Sequence, residues 1–545
     1  MTYFLIIDAL AYGSGLKRFT RDVIGAGPRT VAGVLESCGY SALITSPELL
    51  FKKPQKKQKF LKKSDVLLIS AMSMDRETVK RFVKFWRKIK QNAPVIVGGP
   101  IASDPKTCLK IGGDIAVIGE GEATLKELLK HGLKDGELPS SQQLDKILGI
   151  AFKNYEDGRK KPFYKINPLK PASSKKEFNL FKASTIRIKD YPNYNAKKVY
   201  VEIVRGCSNY YRTKIGLNQN CKNCEKCRTA SLENRFNCPE NIPPGCGFCS
   251  VPSLFGPARS KDLNLIVEEI KTLASLGCRR IVLSAPDFLD YGRDALVYPQ
   301  PLTDPRNPQA NVEVLENLLR EVSQFNTTEV SIENIKPFLF TEETAKIIAK
   351  YLPETSLNIG CETGCPDHAE KLGRPSTPKE ALNAAEICIK YGLKPHVYFI
   401  HSLPGQNSKT VEKTVRLIKK LGKIGVDKIT VYRFKPLPMS AFHSYDKPPA
   451  AIHNRESQMI VETVKEVNLQ QKKHLIGKSL EVLITETSFS NPSIGVGRPI
   501  KDGPLIAVKD AGNLKGKKVN VLVTEIISDR LLGGKLIKNR KNINI

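Results

Sequence analysis

No run of eighteen consecutive apolar residues occurs in this 545-residue chain, which excludes a membrane-spanning helix of ordinary length. The opening MTYFLIIDAL is apolar but short and has no basic flank. It reads as a first β-strand rather than a signal peptide, and the expected setting is cytoplasmic. Acidic residues are in deficit, 55 against 86 Lys and Arg, for a formal net charge of +31. That excess favours a polyanionic partner, with nucleic acid the first candidate; a lysine-rich solvated surface is the plain alternative. Histidine is missing from the first 130 residues, and the only cysteines there are Cys38 and Cys108. That region therefore offers neither an imidazole to an axial metal position nor a thiolate set to a cluster.

What cysteine the chain has is gathered in one place. Seven of the 13 fall from Cys207 to Cys249, the remainder being scattered. A disulfide-stapled secreted domain would be short and evenly supplied, so the cluster reads as metal binding. Around it the chain divides by texture. Residues 1–150 alternate short β-branched runs (YFLIID, SALIT, VLLIS, PVIVGG, IAVIG) with helical segments, the pattern of a parallel sheet covered by helices. Residues 151–197, rich in Lys, Pro and Asn, read as a linker with short strands. Residues 198–450 repeat strand and helix six times, predicting a partial (β/α)6 barrel with an insertion at 208–245. Residues 467–540 predict a small all-β barrel, so the fold class is α/β with an all-β tail.

The strand VYVEIVRGC delivers Cys207 at its carboxyl end, where barrels of this kind place their chemistry. GCGFCS supplies Cys246 and Cys249, three positions apart, a spacing at which both thiolates reach one iron–sulfur cluster. With Phe248 just before the last Cys, these residues resemble the radical S-adenosylmethionine (SAM) superfamily and its Cys-x3-Cys-x2-Cys signature. The resemblance implies a 4Fe–4S cluster with one open iron, to which SAM binds, and a 5′-deoxyadenosyl radical formed by one-electron cleavage. Residues 208–245 stand where that signature has three, so Cys238 competes with Cys207 as first ligand. Inside the insertion, Cys221, Cys224, Cys227 and Cys238 form a four-thiolate set suited to an auxiliary iron–sulfur cluster or to zinc.

SLNIGCETG and the stretch from KLGRPSTPKEA to HSLPGQ resemble a MiaB- and NifB-like core. That resemblance implies Glu362 at the SAM ribose, Arg374 at the methionyl carboxylate, His401 near the adenine and Asp287 at the amino group. VIVGGPIASDP and DIAVIGEGEATLKELL resemble a cobalamin-binding-like domain; with no His at the usual ligand position, cobalamin is possible but not favoured. The tail resembles a TRAM domain, which implies RNA phosphate contacts from Arg498, Lys515, Lys517, Lys518 and Arg530. The leading expectation is a radical SAM enzyme that modifies tRNA or another RNA and takes electrons from a ferredoxin or flavodoxin, with no membrane partner. The alternatives are a cobalamin-assisted radical methylase acting on a small molecule or lipid, and a non-catalytic Fe–S RNA-binding protein.

Overall fold

The short β-branched runs of the amino-terminal part pair as one sheet. A computed structural model describes residues 2–9, 22–47, 50, 60–154, 163–216, 224–229 and 231–537. Strands Ser41–Thr45, Tyr3–Asp8, Val66–Ser70, Val95–Gly98 and Ile115–Val117 lie side by side in that order, all parallel. The sequence order 2-1-3-4-5 is that of doubly wound sheets, whose ligands sit beyond the strands' carboxyl ends at the switch between first and third strand. A hairpin, Ile150–Asn154 and Phe163–Ile166, extends the sheet antiparallel, so the start of the expected linker belongs to this layer. Helix packing follows the 3.6 period: Arg76–Ile89 buries Val79, Phe82, Val83 and Trp86.

The central strands form a second parallel array. Lys198–Glu202, Arg280–Ser284 and Glu329–Ile332 pair in order, and Asn334–Ile335, Ser356–Glu362, Lys394–His401 and Lys428–Arg433 continue the curve. With Glu329–Ile332 and Asn334–Ile335 counted as one interrupted strand, this is the expected six-stranded partial barrel with one addition. Val23–Ile24, from the amino-terminal part, pairs parallel with Lys198 and Val199 and makes a seventh strand. Beside it Asp22 pairs with Arg280 at 2.8 Å, and the buried Arg29 pairs with Glu269 at 2.8 Å. The two α/β parts are woven together.

A 19-residue helix, Arg455–Lys473, not expected from the sequence, packs on helix Ser408–Ile424 and on the last core strand. Its Asn468 side chain exchanges hydrogen bonds with Ile429: Ile429 N donates to Oδ1 at 2.9 Å and Nδ2 donates to Ile429 O at 2.7 Å. An amide thus closes the barrel's free edge as a neighbouring strand would. The chain then enters a closed five-stranded barrel, Ser479–Thr487, Gly495–Pro499, Leu505–Lys509, Leu531–Leu536 and Lys518–Ser528. Among the described residues no helix is long and apolar enough to cross a membrane.

Candidate functional site at the carboxyl ends of the core strands

The chain leaves strand Lys198–Glu202 and turns through Gly206, whose φ is +82° and whose missing Cβ makes room for the Pro257 carbonyl. That turn presents Cys207. Asn209 then links two thiols: its backbone N–H donates to Cys207 Sγ at 3.4 Å and its side-chain Nδ2 to Cys246 Sγ at 3.3 Å. Cys249 follows within the same tight turn, Cys249 N donating to Cys246 O at 2.8 Å. Burial pushes the Cys207 thiol up to about 11 and the Cys249 thiol up to about 12, and the nearby Cys246 sulfur adds to both shifts. The three thiols that the sequence singled out stand together. Cys238 is elsewhere, beside Cys224 and Cys227, lining a cavity within the insertion. Cys221 lies outside the described residues.

A set of residues that spacing gave no sign of anchors this turn. Ser208 Oγ donates to Asp290 at 3.0 Å and accepts from Lys336 Nζ at 2.6 Å. Arg293 and Lys336 both pair with Asp290. Asp290 and Arg293 are enclosed, so the pairs are held in a medium where loss of one partner is costly. The only sequence signal was their position just beyond strand ends, which many loop residues share.

Glu362 ends strand Ser356–Glu362 at a register shift and has a φ of +63°, a left-handed conformation uncommon for a side chain of this size. Its Oε2 lies 2.6 Å from Arg374 Nη2, and the same nitrogen donates to Gly360 O at 2.8 Å. Arg374 Nη1 donates to Cys246 Sγ at 3.8 Å, so this guanidinium touches both the carboxylate and a cluster-loop thiol. Arg374 Nε, though buried, has no hydrogen-bond partner. Burial pushes the Glu362 carboxyl above its usual range, and the guanidinium pulls it back. His401 closes the next strand, with Nδ1 3.0 Å from Ser402 Oγ; burial and then Arg433 hold it below its ordinary value, so it is neutral at pH 7. Asp287 is 1% exposed and already engaged: Lys336 Nζ is 3.1 Å away, and the backbone N–H groups of Lys336 and Leu289 donate to its Oδ1. It braces the Lys336 cluster rather than facing open space.

A cavity of about 570 Å³ lies between the two α/β parts, an ordinary size for a ligand site. Its amino-terminal wall includes Gly25, Gly27, Gly98, Gly99, Gly119 and Gly121, at strand ends, in the turns that follow or at helix starts, with apolar side chains such as Leu68, Ile96 and Leu125 between them. Cβ atoms built on Gly25, Gly27, Gly98 or Gly121 would meet no heavy atom closer than 3.6 Å. The opposite wall is Tyr200, Glu202, Arg205 and Ser284 of the core strands. Arg205 bridges them, pairing with Glu202 and Glu122 at 2.7 Å each and with Glu120 at 3.5 Å.

The tail barrel packs against the opposite end of the core. Asp502 accepts from Ser356 Oγ at 2.7 Å and lies 3.4 Å from Lys198 Nζ, both at strand beginnings, while Arg279 donates to Gly516 O at 3.0 Å. Arg498 is thereby drawn into the junction: it donates to Gly503 O at 3.0 Å, and its charge lowers the Asp22 carboxyl across the interface. Lys515, Lys517, Lys518 and Arg530 stay exposed.

Comparison with known proteins decides the family. Residues 237–418 match the family described as "Radical SAM superfamily", and residues 17–129 match the one described as "B12 binding domain". The chain belongs to the radical SAM superfamily. The superfamily match begins within the insertion and includes Cys238, Cys246, Cys249, Asp287, Glu362, Arg374 and His401, but not Cys207. A protein of Methanocaldococcus jannaschii named "Uncharacterized protein MJ1620" is 43% identical over 98% of both chains. "Ribosomal protein uS12 methylthiotransferase RimO" of Myxococcus xanthus is 25% identical over 63% of this chain and 62% of its own, so the chain spans less than two thirds of that relative. In fold, the chain resembles "radical S-adenosylmethionine methyltransferase, TsrM, from Kitasatospora setae with cobalamin and [4Fe-4S] cluster bound", with a TM-score of 0.57 and 14% identity, over 81% of this chain and 77% of that one.

Membership in the radical SAM superfamily implies a 4Fe–4S cluster and SAM, and the chain's residues fit both. Three soft thiols at one strand mouth suit iron, and beside them stands a buried guanidinium with an unsatisfied Nε. The glycine-walled cavity likewise fits a broad, flat cofactor. Among the described residues that line it there is no histidine.

Proposed function

We propose that this radical SAM enzyme performs a corrinoid-assisted group transfer, with radical chemistry at the core mouth and the corrinoid in the cavity between the two α/β parts. The observation that carries the reading is the cavity itself: its glycine wall stands where doubly wound sheets take ligands, and its other wall is the inner face of the core strands. Absence of an axial His, which weighed against cobalamin in the sequence, matters less than broad contact with the macrocycle. Cys207, Cys246 and Cys249 would hold the cluster. Arg374 would meet the methionyl carboxylate of SAM, Glu362 the ribose and His401 the adenine edge. When bound, the cluster supplies one electron to cleave a carbon–sulfur bond of SAM, and a corrinoid supplies a carrier for a methyl group. Until SAM arrives, the Glu362–Arg374 pair keeps both charges compensated.

Protein produced with abundant hydroxocobalamin should retain about one corrinoid per chain, read from its visible absorption. Gly27→Trp, which puts an indole into the cavity, should lose the corrinoid yet still convert SAM to 5′-deoxyadenosine with dithionite. Wild-type protein that emerges free of corrinoid under those conditions would sink the reading. Cysteine replacements test the cluster: Cys207→Ala should abolish cleavage as Cys246→Ala does, whereas Cys238→Ala should not.

RNA remains the substrate reading favoured by one observation. Lys515, Lys517, Lys518 and Arg530 are exposed on the tail barrel of a strongly basic chain. Lys515 and Lys517 flank Gly516, whose carbonyl accepts from Arg279 at the beginning of a core strand, whereas Arg530 lies near Tyr432 toward the carboxyl end of the last one.

A further inference from the structure

A second group of thiols lies outside the mouth, and the proposed reaction does not use it. Cys224, Cys227 and Cys238 line one cavity with Arg212, Lys214 and Arg228. We propose that Cys224, Cys227 and Cys238 hold an iron–sulfur cluster of their own, separate from the one at Cys207, Cys246 and Cys249.

Several independent features of the insertion point to it. The thiols arrive from both sides of helix Leu232–Phe236, so the fold and not the spacing alone brings them to one cavity. None of the three is in a disulfide. Among its described residues the insertion has a small apolar core: one 3-10 turn, that five-residue helix, the Tyr210–Phe236 ring pair at 5.1 Å and the side chains of Ile215 and Ile242. So small a core calls for a cross-link, and a metal centre provides one.

Charge agrees. A thiolate-ligated cluster is anionic, and four cations, Arg212, Lys214, Lys226 and Arg228, line this cavity against one acid, Glu225, which pairs with Lys214 and Arg228. Arg212 is fixed there by its bond to Ile242 O at 2.7 Å, and Arg228 by its bond to Glu370 O at 3.1 Å. Among the described residues no three His, Cys, Asp or Glu side chains stand gathered as a ready-made metal site, and this is equally true of Cys207, Cys246 and Cys249. Zinc on the same thiols is the competing outcome of the test below.

The site also abuts the first one. Lys214 N and Thr213 Oγ1 both donate to Lys371 O at 2.7 Å, three residues before Arg374. The second cluster would therefore brace the strip that carries the guanidinium of the SAM site.

The test uses the full chain, reconstituted anaerobically with iron and sulfide, and measures iron, acid-labile sulfide, zinc and the EPR of the dithionite-reduced protein. Wild type should hold about twice the iron of a Cys224→Ser/Cys227→Ser variant. That variant should keep the EPR signal that SAM perturbs and keep SAM cleavage. The complementary Cys246→Ala/Cys249→Ala variant should retain about half the iron and a signal indifferent to SAM. The proposal is overturned if the Cys246/Cys249 variant carries no iron. It is equally overturned if replacing Cys224 and Cys227 removes one zinc and leaves the iron unchanged.

Discussion

Asn209 is the residue whose role is sharpest once the chain is folded. It is 2% exposed and directs one N–H at each of two cluster-loop thiols, while its side chain also donates to Gly373 O at 3.1 Å. An N–H aimed at sulfur stabilises the negative charge that reduction adds, so the cluster is easier to reduce with it than without it. In Asn209→Ala the side-chain bond to Cys246 is lost and the backbone bond to Cys207 remains. The midpoint potential should move to a more negative value, with iron content unchanged, in an EPR-monitored redox titration. A shift in the positive direction would contradict the assigned polarity. Arg498 illustrates the reverse case. Its sequence context suggested a phosphate contact, but it is committed to Gly503 O and faces Asp22.

Elements show how the sheet edges are finished. Strand Lys428–Arg433 is the last of the core, and its outer N–H and C=O groups at Ile429 are met only by the Asn468 amide. Asn468→Ala leaves both buried groups bare, and should cost about 1–3 kcal/mol in denaturant unfolding with m unchanged. The loop carrying Asp502 is the second finishing element. Burial opposes its ionisation, but the Lys198 ammonium, then His396 and the Ser356 and Gly503 hydrogen bonds, hold its carboxyl far below the usual range. A carboxyl with a depressed folded pKa contributes stability above its unfolded value of about 3.9, and that contribution fades as pH falls below it. Asp502→Asn should therefore be less stable than wild type at pH 7 by roughly 1–3 kcal/mol. Unfolding curves taken down to pH 3 should find that gap narrowing only below about pH 4.

At the scale of the molecule, the tail barrel and the radical mouth occupy opposite ends of the core. On the RNA reading proposed above, recruitment by the barrel would be mainly electrostatic, and salt dependence measures it. Replacing Lys515, Lys517, Lys518 and Arg530 together by Ala should weaken tRNA binding and flatten its log–log salt slope, by about 0.7–0.9 for each phosphate contact removed. SAM cleavage without RNA should be unchanged, because none of the four is among the residues that would hold the cluster or SAM. Filter binding over a salt series decides this: parallel slopes for the two proteins would remove the barrel from RNA recognition. Arg498→Ala, by contrast, should lower thermal stability while leaving the slope nearly intact.

The sequence by itself determined the α/β class, the order of the core strands and the identity of the superfamily. Those depend on local periodicity and on residues that stand close in the chain, as Cys246, Phe248 and Cys249 do. It also marked Glu362, Arg374 and His401, because each sits just past a strand or helix in a recognisable string. Only the tertiary structure decided which remote residues meet. Residues 208–245 left Cys207 and Cys238 as rivals, and folding sets Cys207 beside Cys246 while Cys238 turns to Cys224 and Cys227. Lys336 meets Asp290 and Arg293, which share one loop three residues apart, under Ser208 of another, an encounter between segments far apart in the chain that no spacing announces. Val23–Ile24 is too short to register as a strand, since two residues carry no period; it becomes one because Lys198 and Val199 offer a free edge. The cavity between the α/β parts exists for the same reason. It is made of turns far apart in the chain, and its glycines acquire a common purpose only when the two sheets face each other.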